Sequence, residues 1–543
     1  MPEAWNHRKG ESSGVEVDLY DRTSSGRCRL TVGTKPDERS IRFVNKSLVS
    51  IANRPTLSHL IEQFPDDCEF VVALGHKGHL VREFLELAYP TRRFFFSEVS
   101  PFEGPGSGLG LSLLACREHL QQPFVFISCD TLVKEPIPSP DRNWMAYAEL
   151  SDIAPYRTVE VKDGVVTRVC EKGEGEAGTH HAYIGLAGIH DYEAFWGRMT
   201  AGGNTAIETG EAHGLRHLLD RKVAACRMTW HDTGNPEALA RTRQIYQEPD
   251  APTILEKENE AIWFVDGQVI KFSDDREFIA NRIERVQHMR GFVPEITGSG
   301  ANMYRYAKAE GRILSDAVML PLFGQLLDYA ERFWARTPLD ESGRKAFQGR
   351  CLKFYRDKTF ERVAQFFKNF SRQDGTESIN GVAMPTVDYL LNKVDWNWLA
   401  DGRAGRFHGD FHFENILWSG ADERFVFLDW RQNFGGDLAV GDIYYDLAKL
   451  MHGLIVSHQL IAADLYSVDW KDKTIDFDLH RKQILVQCER HLDKWLAANG
   501  YDTKKVRTLT ALIYLNIAAL HHYPYSLLLF ALGKSMLKEE LDT

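Results

Sequence analysis

Residues 408–430 read HGDFHFENILWSGADERFVFLDW. Asp410 and Asn415 stand five positions apart, and Asp429 follows Asn415 by fourteen, at the end of the apolar run FVFL. Phosphoryl transfer to a hydroxyl needs a carboxylate that orients the hydroxyl and takes its proton. It also needs oxygen ligands that hold Mg2+ against nucleotide phosphates. This segment supplies both kinds of group within 20 residues, counted from Asp410 to Asp429. His408 and His412 are read as structural, since no His/Cys metal-ligand spacing accompanies them. Downstream, Asp442 and Asp446 lie one helical turn apart in GDIYYDLAKL and face the same way, which suits either capping and hydrogen bonding or direct substrate contact.

The segment resembles the H-x-D-x-x-x-x-N catalytic loop of protein kinases. It is similar to the aminoglycoside phosphotransferase and choline kinase superfamily, whose signature is HGD-x-x-x-x-N followed by a metal-binding Asp. The resemblance implies a bilobal, protein-kinase-like α+β domain that uses ATP, with Asp410 as catalytic base and Asn415 and Asp429 as Mg2+ ligands. Upstream, AIWFVDGQVIKF at 261–272 is a hairpin pattern around Asp266-Gly267. Its second strand resembles the kinase strand whose Lys holds the ATP phosphates, which makes Lys271 the candidate. The following helical pattern offers Glu277 and Glu284 as partners for that Lys, and periodicity does not choose between them. MYRYAK at 303–308 stands where the family's hinge would meet adenine. Trp396, Trp398, Trp430 and Tyr444 are aromatic candidates for an acceptor pocket, with core packing the plainer role for each.

The first half alternates β-branched or aromatic runs with helical patterns: EFVVAL at 69–74 then a helix, and a helix then PFVFIS at 123–128. Such alternation argues for β-α-β units on a mostly parallel sheet, an α/β domain. GPGSGLG at 104–110 precedes a helix, and its glycines allow backbone to approach a base or phosphate. In order along the chain come Lys46, this Gly-rich segment, Asp130 at a strand end, Glu171-Lys172-Gly173, and Asp232-Thr233-Gly234. The series resembles the sugar-phosphate nucleotidyltransferases over roughly residues 30–245, which implies a Rossmann-like, GT-A-like domain. By that resemblance Asp130 and Asp232 hold Mg2+ and Lys46 neutralises triphosphate charge. Lys172 binds the phosphate of the incoming substrate, and Gly104, Gly106 and Gly108 line the base site. The chain departs from the family's G-x-G-x-R-…-P-K opening. Arg42 stands in for the signature Arg, most of the glycines are missing, and Asn45 replaces the usual Pro.

Length and charge bound the rest. At about 150 residues per domain, 543 residues make three to four domains or two large ones. The motifs divide the chain into a lead-in at 1–28, a nucleotidyltransferase-like domain at 29–248 and a kinase domain at 253–543. With 65 Lys plus Arg against 76 Asp plus Glu, the net charge of −11 gives no basic field for nucleic acid. The eight cysteines are scattered without a C-x-x-C pair, which suits reduced thiols in a cytoplasmic protein. The late apolar stretch 510–533 is broken by Asn516, His521-His522 and Pro524, so it reads as buried helices and not a membrane insertion. A homo-oligomer is compatible with all of this. The expected function is bifunctional: phosphorylation of a small alcohol or sugar with ATP, then nucleotidyl transfer from a second NTP, CTP or UTP favoured, to the phosphorylated product. Such activated precursors feed surface polysaccharide or lipid synthesis. The alternative is a small-molecule kinase whose degenerate N-terminal domain is a binding or regulatory module.

Overall fold

The structure, a computed structural model, describes residues 43–176, 178–247 and 259–542. The lead-in at 1–28, Arg42 and the seam at 248–253 lie outside the described residues. The chain forms two compact units, Met1–Arg276 with Gly298–Arg305, and Glu277–Thr297 with Tyr306–Thr543.

In the first unit, Glu69–Leu74 and Arg93–Glu98 pair in parallel and are joined by the helix Gly78–Ala88. That helix buries Leu80, Val81, Phe84 and Leu85 at helical spacing, the β-α-β pattern expected from the sequence. The main sheet is different. It has six strands in the order Phe124–Ile127, His180–Ile189, Trp144–Ala148, Ala224–Arg227, Val165–Cys170 and Thr158–Lys162. Ala224–Arg227 runs parallel to Trp144–Ala148, whereas the other pairings are antiparallel, so the sheet is mixed and not mostly parallel. The reason is local. Asp163-Gly164, at φ 50° and 74°, closes a tight hairpin between Thr158–Lys162 and Val165–Cys170, and so short a link has no room for a crossover helix.

The hairpin around Asp266-Gly267 forms as expected, from Glu260–Val265 and Gln268–Ser273, with both turn residues at positive φ (47° and 69°). Its apolar face belongs to the first unit. Trp263, Val265, Ile270 and Phe272 share one hydrophobic cluster with Val44, Leu48, Leu80 and Phe84. The Phe264 amide also donates to the Asn53 carbonyl at 2.8 Å. The compact division therefore falls after the hairpin, not before it.

The second unit is mainly helical, with Leu320–Phe333, Lys358–Asn369, Ile443–Ile455, Gln483–Ala498, Thr503–Ala518 and Tyr525–Asp542 as its longer helices. The last two enclose the late apolar stretch and bury most of it. No described helix is long and apolar enough to cross a membrane. The unit also holds a four-stranded sheet, in the order Val382–Met384, Glu377–Ile379, Thr474–Leu479 and Tyr466–Lys471. Between the helices, the strands Ile416–Ser419 and Arg424–Phe427 form the hairpin that links Asn415 to Asp429.

Candidate active sites

The loop at 408–415 is held from below by two carboxylates. Asp446 accepts the backbone N–H of His408 and of Gly409, both at 2.6 Å, and the Trp334 indole N–H at 2.9 Å. Asp442 caps the helix Ile443–Ile455 through the Tyr444 N–H at 3.0 Å, and accepts the Arg403 N–H (2.9 Å) and the Tyr355 hydroxyl (2.7 Å). Both aspartates are fully buried, and burial pushes each up to about 6 despite these donors. Their support role is thus visible in their contacts. Arg285 ties the other side of the loop. Its guanidinium donates to the carbonyls of Phe407 (2.5 Å), Leu438 (3.0 Å) and Arg431, and lies over the Phe407 ring. The Asp429 segment is stitched on by the Leu428 N–H to the Asn415 carbonyl (2.7 Å) and the Arg431 N–H to the His408 carbonyl (2.9 Å).

On this frame Asp410 meets Lys449 Nζ at 2.7 Å and His412 Nε2 at 3.5 Å, while the Asn415 amide donates to its Oδ2 at 3.1 Å and its carbonyl at 2.9 Å. Burial pushes the Asp410 carboxyl up, but Lys449 and His412 more than offset it and hold it well below the usual range. His412, also bonded to Glu414 at 2.8 Å, is depressed by burial, yet the two carboxylates raise it to about 9. It thus joins the polar network of the site through Asp410 and Glu414, beyond the structural role expected of it. His412, Glu414 and His458 also lie close enough together to share an ion, a grouping that sequence spacing had not suggested. His408 is the structural residue: buried, driven by that burial down to about 3, and accepting the Asp410 N–H at 3.2 Å. Asp429 sits at φ 56°, a strained setting for a residue other than glycine, with Oδ1 on Arg282 at 2.6 Å.

In the first unit, the strands Thr131–Val133 and Trp230–Asp232 pair with Asp232 opposite Thr131, which sets Asp130 and Asp232 side by side. A Cβ built at Gly234 would lie 2.7 Å from Asp232 Oδ1 and 3.3 Å from Asp130 Oδ2, so both carboxylates face the same glycine. Lys46 Nζ reaches Asp130 Oδ2 at 2.6 Å. Asn45, in place of Pro, caps the short helix Lys46–Leu48 by accepting the Ser47 N–H at 2.9 Å, and anchors it by donating to the His76 carbonyl at 2.6 Å. Lys172 is exposed in a turn. Its neighbour Glu171 is gripped by Arg157 (2.9 Å) and Arg216 (2.6 Å), which outweigh burial and lower its carboxyl.

The glycines divide by cause. Gly104 and Gly106 are exposed with φ of 80° and 83°, whereas Gly108 is buried at extended φ. A Cβ on Gly108 would meet the Ile207 carbonyl oxygen at 2.3 Å, so helix packing already explains that glycine without a base beside it. Lys271 is buried in the hairpin, while Glu277 and Glu284 are both exposed on the helix Arg276–Arg285, whose buried polar residues are Arg282 and Arg285. Met303–Ala307 is a strand. Trp396, Trp398 and Trp430 spend their indole N–H groups on Leu391, Asp502 and Arg282, the Tyr444 hydroxyl accepts the Asp502 N–H, and of the four Trp430 and Tyr444 are buried. Sequence reading missed Lys449, Arg282, Arg285, Arg157 and Arg216. For Lys449 a signal existed: a lone Lys between Ala448 and Leu450, in an otherwise apolar stretch of helix.

The donors fit Mg2+ in both units, being carboxylate and amide oxygens with no soft ligand among them. Each unit thus gathers its own carboxylate cluster, around Asp410 in the second and around Asp130 and Asp232 in the first. Residues 346–470, all in the second unit, match the model of the phosphotransferase enzyme family. The N-terminal part is similar to solved nucleotidyltransferase structures. An apo UDP-glucose pyrophosphorylase matches at 16% identity and TM-score 0.33, covering 38% of this chain and 91% of that one. The CTP:phosphocholine cytidylyltransferase of Streptococcus pneumoniae matches at 13% identity and TM-score 0.32, covering 39% and 93%. The inositol-1-phosphate CTP transferase of T. maritima matches at 14% and 0.30, covering 38% and 90%. No curated protein matches the chain.

Proposed function

We propose that the chain is a bifunctional transferase: the Asp410 site phosphorylates a small hydroxylated acceptor with ATP, and the Asp130/Asp232 site then transfers a nucleotidyl group from CTP or UTP to the product. The observation that carries this reading is that each half assembles its own carboxylate constellation: Asp410 with Asn415 and Lys449, and Asp130 with Asp232 and Lys46. Asp410 orients the acceptor hydroxyl and takes its proton. Its depressed carboxyl keeps it ionised at neutral pH, and Lys449 fixes its direction. Lys271 would neutralise ATP phosphate charge. Asn415 and Asp429 would hold Mg2+ in one site and Asp130 and Asp232 in the other. Bound there, the ion supplies charge neutralisation for the nucleotide phosphates.

In the first unit the acceptor phosphate attacks the α-phosphorus of the NTP and pyrophosphate leaves. Lys46 and Lys172 would balance charge on the triphosphate and on the incoming phosphate. The product is a nucleotide-activated precursor of the kind consumed in surface polysaccharide or lipid synthesis. Purified protein incubated with ATP, CTP, UTP and a panel of polyols and sugars should form ADP and then pyrophosphate, and Asp130→Asn should stop only the second. If the parent protein forms ADP and never pyrophosphate, the first unit is a binding or regulatory module instead.

A further inference from the structure

A cavity of about 180 Å3 opens in the second unit, lined in part by Lys358, Arg362, Arg431, Asn516, Phe354 and Tyr445. Its lining contains no Asp or Glu. A void near 150 Å3 already accommodates benzene, so this one has room for a small polar molecule. Lys358 Nζ and the Arg431 guanidinium lie over the Phe354 ring, at 4.5 Å and 4.8 Å from its centroid. Arg362 spends one N–H on Gln365 at 2.6 Å. Among the described residues none of the three cations has a carboxylate within ion-pair distance. Burial, together with Arg431, Arg362 and Lys449, presses the Lys358 ammonium down to about 7 against the opposing pull of Asp410. Asn516 donates to Thr359 Oγ1 and the Leu512 carbonyl, while its own Oδ1 is buried without a donor.

The cavity adjoins the catalytic loop. A Cβ built on Gly409, the residue before Asp410, would lie 2.5 Å from Arg431 Cβ. Tyr445 comes from the helix that carries Lys449, the partner of Asp410. We infer that, if the Asp410 site is a kinase as proposed above, its acceptor is a small hydroxylated anion, whose carboxylate or phosphate is taken by Lys358, Arg362 and Arg431 and one of whose hydroxyls donates to Asn516. A cationic amino alcohol meets Lys358, Arg362 and Arg431 here with no carboxylate in the cavity lining, an arrangement that selects against it. In the reaction the acceptor oxygen attacks the γ-phosphorus and the bond to the β-bridging oxygen breaks. ADP leaves with that electron pair, and the hydroxyl proton passes to Asp410.

The full chain with Mg-ATP is assayed for ADP release with glycerate and glycerol 3-phosphate, which separate carboxylate from phosphate, and with glycerol, ethanolamine and choline. Thermal stabilisation by each probe is measured alongside. At least one anionic probe should exceed glycerol in kcat/KM by about tenfold, and Lys358→Gln and Arg362→Gln should each raise its KM by about tenfold while leaving the KM for ATP unchanged. Equal or better turnover of glycerol, ethanolamine or choline overturns the anionic acceptor and leaves the kinase reading standing. Stabilisation by an anionic probe that the two variants abolish, with no ADP from any acceptor, supports the anion site and removes the kinase reading. No ADP release from any acceptor, together with no stabilisation by any anionic probe, overturns both.

Discussion

Asp410 works between two cations, Lys449 at 2.7 Å and His412 at 3.5 Å, and this decides its protonation. A general base, the role proposed for Asp410, contributes about 10²–10⁴ in rate, so Asp410→Asn should lower ADP formation by that factor and, with the phosphorylated acceptor supplied, leave pyrophosphate release in the first unit intact. Loss of both activities together would contradict the assignment. His412 gives a second test. Its folded-state value, about 9, lies above the 6.5 of an ordinary histidine, so the stability it contributes is fully present below about pH 6.5 and lost as pH rises through about 9. The difference in melting temperature between the parent protein and His412→Gln should shrink across that window. A difference that grows with pH would mean that His412 is neutral. Of this network the sequence carried Asp410, Asn415 and Asp429, because spacing along one loop is local. Lys449 stands 34 residues after Asn415 and reaches Asp410 only because Asp446, on the same helix, holds the loop backbone.

At the scale of elements, the helix Leu109–Cys116 comes so close to Gly203–Thr209 that Gly108 and Gly110 have no room for a Cβ: the nearest backbone oxygens would lie at 2.3 Å and 2.0 Å. Gly108→Ala should therefore cost about 1–3 kcal/mol through overpacking, read as a lower denaturation midpoint. Gly104→Ala, where nothing lies within 4 Å, should show only the smaller cost of its positive φ. Equal effects of the two would refute the packing account. The glycine run was legible in the sequence, but its cause was not, since the carbonyls that require it come from residues 206 and 207. The sheet makes the same point. Alternation of strand and helix patterns located Glu69–Leu74, Gly78–Ala88 and Phe124–Ile127, yet strand direction depends on which strands pair, and that is set by non-local contacts such as Ala224–Arg227 against Trp144–Ala148.

At the scale of the molecule, the motifs divide the chain near residue 250, whereas the hydrophobic cores divide it after the hairpin. Alternation within AIWFVDGQVIKF shows that one face is apolar but not what covers it. Trp263 is wholly buried and meets Phe84 edge-on at a centroid distance of 5.3 Å, and Ile270 is equally buried in the same cluster as Leu48 and Leu80. Lys271, the proposed ATP-phosphate ligand, is therefore carried by an element that folds on the first unit. A chain starting at residue 253 keeps Asp410, Asn415 and Asp429 but strips the hairpin of Val44, Leu48, Leu80 and Phe84. It should be poorly soluble or lose ADP formation despite an intact loop. Trp263→Ala in the full chain separates the causes. Removing this side chain should cost about 3–5 kcal/mol, seen in the unfolding of the first unit, and should raise the KM for ATP in the kinase reaction with less change in the KM for the acceptor. A soluble, fully active 253–543 chain, or a Trp263→Ala protein with unaltered KM for ATP, would show that ADP formation does not depend on the packing of this hairpin against Val44, Leu48, Leu80 and Phe84.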